Sequence, residues 1–224
     1  MKKNYAIAID GPAAAGKSTI AKIVAQRLNI TYIDTGAMYR AFTWYTLEKG
    51  VDPNSQKDVE ALIPEIEIKL TSDEKVFCNG VDVTKEIRSI PVTAHVSAVS
   101  SYEKVREALV AQQRKMAESQ SVIMDGRDIG TTVLPNADLK IFQVASVETR
   151  ARRRYEENVE KGIEGTYDEV EKDVIRRDKF DSSREISPLK QAEDAVLLDT
   201  SDLTILEVVN EVIKLVKERN LSNE

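Results

Sequence analysis

The chain has little cysteine, and its N-terminus has no long apolar run. Its 224 residues include a single cysteine, Cys78. One cysteine cannot form an intramolecular disulfide or supply a multi-cysteine metal site, which is typical of a protein from a reducing compartment. The apolar run after Met1-Lys2-Lys3 ends at Asp10, too short for the core of a signal peptide or for a membrane span. We therefore expect a cytoplasmic protein in which Cys78 only packs.

An excess of positive charge is also missing. The chain has 32 Lys and Arg residues against 38 Asp and Glu residues, a formal net charge of −6. Non-specific binding to nucleic acid or to acidic membranes needs a basic surface that releases counterions. We therefore expect small-molecule partners, with no nucleic acid and no membrane. A chain of this length can bury one substantial core with inserts, and we expect a monomer.

Short apolar runs alternate with helical patterns along the chain. The runs at 5–9, 121–124, 139–144 and 195–198 predict strands, and the periodicity at 17–28 and 204–217 predicts helices. Strands that alternate with helices indicate an α/β fold with a parallel sheet. In such sheets, ligands bind outside the carboxyl ends of the strands.

Two stretches interrupt this alternation. Residues 66–83 alternate apolar and polar side chains around Asn79-Gly80, which predicts a small antiparallel hairpin outside the main sheet. Residues 150–184 are dense in charge and poor in large apolar side chains. That composition favours a mobile, solvated cover over a core helix.

One octapeptide matches the phosphate-binding pattern G-x-x-x-x-G-K-[ST] and lies between a predicted strand and a predicted helix. It consists of Gly11, Pro12, Ala13, Ala14, Ala15, Gly16, Lys17 and Ser18. Glycines permit a loop whose N–H groups surround phosphate oxygens, and the helix N-terminus favours negative charge. We expect Lys17 to bridge the β and γ phosphates of ATP, Ser18 to hold Mg²⁺, and Thr19 to reach an α-phosphate oxygen. A chance match in a Gly-rich turn is the alternative, and the position between strand and helix argues against it.

A phosphate-binding loop alone does not say whether the acceptor is water, a hydroxyl or another phosphate. Transfer to a phosphate brings two polyanions together, so the site needs arginines to neutralise their charge. The candidates are Arg40, Arg106 and Arg127, of which Arg40 and Arg127 are predicted in loops at strand ends. Any single one could instead be a solvated surface charge. Asp125 could assist Mg²⁺ through water or simply orient Arg127, and the sequence leaves both open.

Five motifs together resemble the bacterial cytidylate kinases, the CMP kinases of the nucleoside monophosphate kinase superfamily. The motifs are IDGP at 9–12, DTGAMYR at 34–40, VTKEIR at 83–88, DGRDIGT at 125–131, and 178–184 followed by SPL at 187–189. The resemblance covers essentially the whole chain. It implies a P-loop three-layer α/β fold with a parallel sheet, an enlarged acceptor-binding insert containing a small antiparallel sheet, and a mobile lid. The implied division is a core at 1–34, 98–149 and 190–224, an acceptor (CMP)-binding domain at 35–97, and a lid at 150–189.

The resemblance also implies a role for individual residues. Binding of CMP is implied for Thr35, Arg40, Ser97, Arg106, Arg127, Asp128, Asp181 and Arg184. Binding of ATP on lid closure is implied for Arg153 and Arg154, and direct participation in the transfer for Lys17, Arg127, Arg154 and Arg184. Helical spacing places Arg150 on one face with Arg153 and Arg154. The alternative for this face is a salt-bridged surface helix with Glu148, Glu156 and Glu157.

The expected reaction is in-line transfer of the γ-phosphoryl group of Mg-ATP to CMP or dCMP, which gives ADP with CDP or dCDP. A second possibility is a P-loop kinase that acts on shikimate, UMP or AMP. A third is a nucleotide-dependent switch such as a GTPase. The switch is disfavoured because the chain lacks the [NT]-K-x-D guanine signature: in the nearest run, 84–87, Ile87 occupies the position of the aspartate.

Overall fold

A computed structural model describes residues 4–71, 73–160 and 162–221. The Met1-Lys2-Lys3 segment lies outside these ranges, as do Ser72 of the predicted hairpin and Lys161 of the predicted lid. The strands are β1 (Ala6–Asp10), β2 (Thr31–Asp34), β3 (Ile68–Leu70), β4 (Val76–Cys78), β5 (Val81–Asp82), β6 (Val122–Gly126), β7 (Leu139–Val144) and β8 (Val196–Asp199). The α-helices are α1 (Lys17–Leu28), α2 (Thr35–Glu48), α3 (Gln56–Ala61), α4 (Ile90–Val99), α5 (Glu103–Glu118), α6 (Val147–Glu160), α7 (Tyr167–Ser183) and α8 (Ile205–Glu218).

The first of two compact units comprises Met1–Tyr32 and Gln120–Glu224. Its sheet has the strand order β2-β6-β1-β7-β8, and β1 pairs in parallel with both β6 and β7. Helices α1 and α8 pack their apolar faces against this sheet, as the helical periodicity predicted. Helix α8 begins with a capping box between Thr204 and Glu207, which satisfies backbone N–H groups of its first turn. The predicted α/β class with a parallel sheet is confirmed.

The second unit comprises Ile33–Ser119. It contains the antiparallel sheet β3-β4-β5, so the predicted hairpin is confirmed and gains a third short strand. The sheet packs with α2 around a buried apolar cluster that includes Phe42 and Cys78. Cys78 is therefore a packing residue. Among the described residues, no helix is both long and apolar enough to cross a membrane.

The bounds of the compact units differ from those of the predicted division. Residues 98–119 were expected in the core, but the structure groups them with the second unit, because α5 contributes Val105 and Leu109 to its apolar cluster. Residues 150–189 contain most of α6 and all of α7, which pack on each other within the first unit. The functional division into core, acceptor domain and lid stays a prediction, as does the mobility of the lid.

The two leucines of neighbouring strands test where the core of the first unit lies. Leu139 in β7 is 0% exposed, whereas Leu197 in β8 is 56% exposed. We expect Leu139→Ala to lower the free energy of unfolding by about 2–5 kcal/mol, because it leaves a cavity in a packed interior. The control Leu197→Ala should change it by less than about 0.5 kcal/mol. Urea unfolding of both variants measures the difference, and equal losses would contradict the assignment of the core.

Candidate active site

The loop between β1 and α1 has the backbone conformation that its glycines predict. Gly16 has a φ of 87° and directly precedes the first residue of α1. Gly11 has a φ of 152°, and a Cβ atom at this position would overlap the backbone oxygen of Gln143. A larger residue cannot replace Gly11 without displacing β7. The loop from Gly11 to Ser18 therefore has the strand–loop–helix context that its motif requires.

Side chains of the first unit hold the backbone of this loop. Gln143 donates from Nε2 to the carbonyl oxygen of Ala15 at 2.6 Å, and Arg150 donates to the carbonyl oxygen of Ala13 at 3.0 Å. Asp178 of α7 accepts from the backbone N–H of Ala13 at 3.3 Å and pairs with Arg150 at 2.7 Å. Sequence reasoning missed the roles of Gln143 and Asp178. A polar residue inside the apolar run of β7 was the available signal for Gln143.

Lys17 lies at the centre of the loop and is 5% exposed. Its Nζ atom donates to the carbonyl oxygen of Pro12 at 2.7 Å. Burial, followed by the positive charge of Arg127, lowers the pKa of Lys17 well below its ordinary value. A nearby polyanion would reverse this effect, because negative charge stabilises the ammonium form.

Ser18 and Asp125 bring two oxygen donors together. Ser18 Oγ donates to Asp125 Oδ2 at 2.8 Å, and the hydroxyl of Tyr32 donates to Asp125 Oδ1 at 2.7 Å. Oxygen ligands of this kind suit Mg²⁺, which usually takes one or two protein ligands and completes its shell with water and substrate phosphates. In the part of the chain that the structure describes, no group of three or more His, Cys, Asp or Glu side chains is placed to bind a metal. The pair therefore fits a magnesium ion that a nucleotide carries with it.

The segment after β6 contains Arg127 and Asp128, as the strand-end position predicted. Arg127 Nε donates to Asp181 Oδ2 at 2.8 Å. Asp128 is 4% exposed and is followed by a single π-helical turn, Ile129–Val133. Asp10, the last residue of β1, accepts from the backbone N–H groups of Ile129 and Gly130, each at 2.7 Å. Sequence reasoning gave Asp10 no role of its own.

Four arginines of the first unit interact electrostatically with one another or with Asp181: Arg127, Arg154, Arg177 and Arg184. Burial, and then the charges of Arg127 and Arg154, lower the pKa of Arg177 to about 10. Its buried Nε atom has no hydrogen-bond partner within the described residues. Burial alone would raise the pKa of Asp181, but Arg127 and Arg184 together hold it below its ordinary value. These surroundings add Arg177 to the candidate site residues.

The three arginines predicted on one face of α6 have different surroundings. Arg150 is 4% exposed and is bonded to backbone oxygens and to Asp178, so it is a structural part of the phosphate-binding loop. Arg153 donates to the carbonyl oxygens of Thr200, at 2.6 Å, and of Ala15. Arg154 is half-exposed and pairs only loosely with Glu157, at 3.5 Å. The alternative prediction, a surface helix with salt bridges, therefore holds for the Arg154–Glu157 pair of α6.

In the second unit, the position of Arg40 differs from the prediction. It lies inside α2 and not in a strand-end loop, because β2 ends at Asp34 and α2 begins at Thr35. Asp34 caps this helix by accepting from Ala37 N at 2.7 Å and pairs with Arg40 at 3.0 Å. A Cβ atom on Gly36 would lie 2.9 Å from the Arg40 guanidinium, so glycine permits this approach. The prediction failed because the short strand β2 was not recognised.

The remaining predicted residues of this unit are buried polar groups. Thr35 is 3% exposed, Ser97 is 5% exposed and Arg106 is 4% exposed. Arg106 donates to the carbonyl oxygen of Ser100 at 3.1 Å, and its guanidinium carbon lies 5.5 Å from the centre of the Tyr39 ring. The second unit thus contains Thr35, Arg40, Ser97 and Arg106, and the first unit contains Arg127, Asp128, Asp181 and Arg184.

Comparisons with known proteins agree across the whole chain. A family model described as cytidylate kinase matches residues 7–218. A cytidylate kinase of Bacillus licheniformis is 53% identical and covers 98% of this chain and 99% of its own length. A cytidylate kinase of Bacillus subtilis is 50% identical and covers 98% of this chain and 100% of its own length.

Solved structures share the fold at much lower identity. An uncharacterised protein from Eubacterium ventriosum has a TM-score of 0.55 at 12% identity, with coverage of 96% of this chain and 99% of its own. A gluconokinase from Sinorhizobium meliloti has a TM-score of 0.51 at 11% identity, with full coverage of both chains. At such identities the likeness shows the fold alone.

The buried carboxyl of Asp10 predicts a pH-dependent stability. Burial raises its pKa from 3.8 to about 6, although two backbone N–H groups oppose the shift. The folded state then holds the proton more tightly than the unfolded state, so the contribution of Asp10 to stability falls as pH rises from 3.8 to about 6. In Asp10→Asn this titration is absent. We expect the stability of the wild type relative to the variant to decrease by about 3 kcal/mol across this window.

Urea unfolding of both proteins at a series of pH values measures this change. Titrating groups that do not interact with Asp10 behave alike in the two proteins and cancel in the difference. A difference that stays constant, or that grows with pH, would contradict the raised pKa.

Proposed function

The chain belongs to the cytidylate kinase family, and from this premise we propose that it transfers the γ-phosphoryl group of ATP to CMP or dCMP, giving ADP with CDP or dCDP. One observation carries the proposal: relatives named cytidylate kinase are about half identical to the chain over nearly their whole length. The geometry supports it, because a complete phosphate-binding loop shares the first unit with an arginine cluster. Catalysis is electrostatic and positional, and it needs no covalent enzyme intermediate.

In this proposal the first unit binds ATP and acts on the transferring group. The backbone N–H groups of the loop and the helix N-terminus at Lys17 bind the phosphates of ATP. Lys17, Arg127, Arg154 and Arg184 stabilise the charge that develops on the transferring phosphoryl group. Arg153 and Arg154 contact ATP, and Thr19 reaches an α-phosphate oxygen. Arg127, Asp128, Asp181 and Arg184 contact CMP.

The second unit supplies further CMP-binding residues in this proposal. Arg40 and Arg106 bind the phosphate of CMP, and Thr35 and Ser97 complete the recognition of the nucleotide. The buried Nε atom of Arg40 has no hydrogen-bond partner within the described ranges, which supports a role in anion binding. Asp34 holds one end of its guanidinium in place, as expected for a side chain that must present a fixed fork to a phosphate.

Ser18 and Asp125 would hold Mg²⁺, which when bound neutralises charge on the β and γ phosphates. We further propose that 150–189 functions as a lid over a core at 1–34, 98–149 and 190–224, with 35–97 as the acceptor domain. Closure of such a lid would exclude water and limit hydrolysis of ATP. A cytoplasmic monomer fits the single cysteine and the negative net charge.

A coupled assay of ADP release tests the acceptor assignment. Mg-ATP is supplied with CMP, dCMP, UMP, AMP, GMP or shikimate, alongside a control without acceptor and a control with EDTA. We expect strong turnover with CMP and dCMP, weak turnover with the other acceptors, and none without acceptor or divalent metal. Preference for AMP or shikimate, or ADP release without any acceptor, would overturn the cytidylate assignment and leave the phosphate-binding loop in place.

Single substitutions separate the two substrates. Lys17→Ala should lower kcat at least about 100-fold, because it removes charge stabilisation from the transferring group. Arg127→Ala should lower kcat/KM for CMP about 10- to 100-fold and change KM for ATP much less. Arg27→Ala is the control, because Arg27 is an exposed arginine of α1 that bonds Asn210. Steady-state kinetics with each substrate varied in turn measures both effects. Equal losses for ATP and CMP would contradict the assignment of Arg127 to CMP binding.

A further inference from the structure

Asp10 lies between two segments of the first unit, the phosphate-binding loop and the segment that contains Arg127 and Asp128. It is the last residue of β1, directly before Gly11, and it pairs across the sheet with Gly126 of β6. The two strands therefore end side by side, and a different segment of the proposed site follows each of them. Strand β1 enters the phosphate-binding loop, and β6 enters the segment that contains Arg127 and Asp128.

The carboxylate of Asp10 connects these two segments directly. Its two oxygens accept from Ile129 N and Gly130 N, each at 2.7 Å, and the residue is 4% exposed. Bonds from successive N–H groups to a carboxylate are short, strong and directional. A Cβ atom on Gly130 would lie 3.3 Å from Asp10 Oδ2 and 3.1 Å from the Lys140 side chain, so glycine allows the turn to approach this closely.

The next bonds extend the anchor to Asp128. The carbonyl oxygen of Asp128 accepts from Thr132 N at 2.8 Å and from Val133 N at 3.1 Å, which closes the π-helical turn on itself. The backbone of Asp128 is thus held by the turn, and the turn is held by Asp10. Arg127 directly precedes Asp128, so the turn and Asp10 together also constrain the backbone position of Arg127.

From this arrangement we propose that Asp10 is a positioning residue, which fixes the backbone of Arg127 and Asp128 relative to the phosphate-binding loop. The inference rests on the proposed function, in which these two residues contact the acceptor nucleotide. Asp10 itself touches neither substrate. Its effect is to keep the acceptor-binding side chains aligned with the phosphate-binding loop.

Stability alone does not account for a carboxylate at this position. Burial raises the pKa of Asp10 to about 6, so the ionised form present at neutral pH costs the folded state free energy relative to an exposed aspartate. A neutral side chain would avoid this cost. Retaining a residue that aligns two parts of a site but lowers stability is expected at a functional position.

The test compares Asp10→Asn with Asp138→Asn. Asparagine keeps one acceptor oxygen at position 10 but turns a donor toward the second N–H group, so one of the two bonds is lost. Asp138 is a matched control, since its carboxylate accepts a hydrogen bond from the backbone N–H of Ala6, at 2.9 Å, at the opposite end of β1.

For Asp10→Asn we expect kcat/KM for CMP to fall about 10- to 100-fold and KM for ATP to change less than about 3-fold. The melting temperature at neutral pH should not fall, whereas Asp138→Asn should leave both KM values unchanged.

A second variant and a spectroscopic readout cover the case in which Asp10→Asn misfolds. Gly130→Ala crowds the same bond from the other side, and we expect a smaller loss in the same direction. In NMR spectra of the wild type, the amide protons of Ile129 and Gly130 should lie downfield and titrate together with a midpoint at a pH of about 6. In Asp10→Asn this titration should disappear.

The results separate this inference from the proposed function. If the wild type does not phosphorylate CMP, the proposed function fails before any variant is compared. If the wild type phosphorylates CMP and Asp10→Asn keeps its kcat/KM for CMP, only the positioning role is overturned. Equal losses for ATP and CMP that follow a drop in melting temperature would reduce Asp10 to a structural residue.

Discussion

The site depends on hydrogen bonds that tie down the carbonyl oxygens of the phosphate-binding loop. A loop that turns its N–H groups toward phosphates must turn its carbonyl groups toward the protein, where each oxygen needs a donor. The first unit supplies these donors from side chains: Arg150 bonds Ala13, and Gln143 and Arg153 bond Ala15. The donors come from β7 and α6, so the packing of these elements sets the shape of the loop.

The same unit accumulates positive charge around this loop. The lowered pKa values of Lys17 and Arg177 have the same two causes, burial and neighbouring cations. Asp181 accepts a hydrogen bond from Arg127, and the charges of Arg127 and Arg184 lower the pKa of Asp181. A polyanion entering this region would relieve the repulsion, and a buried, fixed array of cations stabilises charge better than mobile water does.

Local motifs predicted much of the fold and part of the site, for identifiable reasons. The strand–loop–helix from β1 to α1 is contiguous, so one pattern fixes both its structure and its chemistry. The end of β6 likewise lies directly before Arg127 and Asp128 in the chain. Arg40 was misplaced because β2 has only four residues and α2 follows it without a loop. The roles of Gln143, Asp178 and Asp10 come from partners more than a hundred residues away, which no local pattern contains.

The sequence by itself determined the phosphate-binding loop, the α/β class, the antiparallel insert and the family resemblance, because each is encoded by neighbouring residues or by short periodicities. Only the tertiary structure decided which charged side chains are structural and which remain available. Arg150 and Arg154 lie on the same helix and have the same chemistry, yet one is buried against Ala13 and Asp178 and the other is half-exposed. That difference depends on what packs against each side chain, and packing partners are set by the fold rather than by the spacing of residues along a helix.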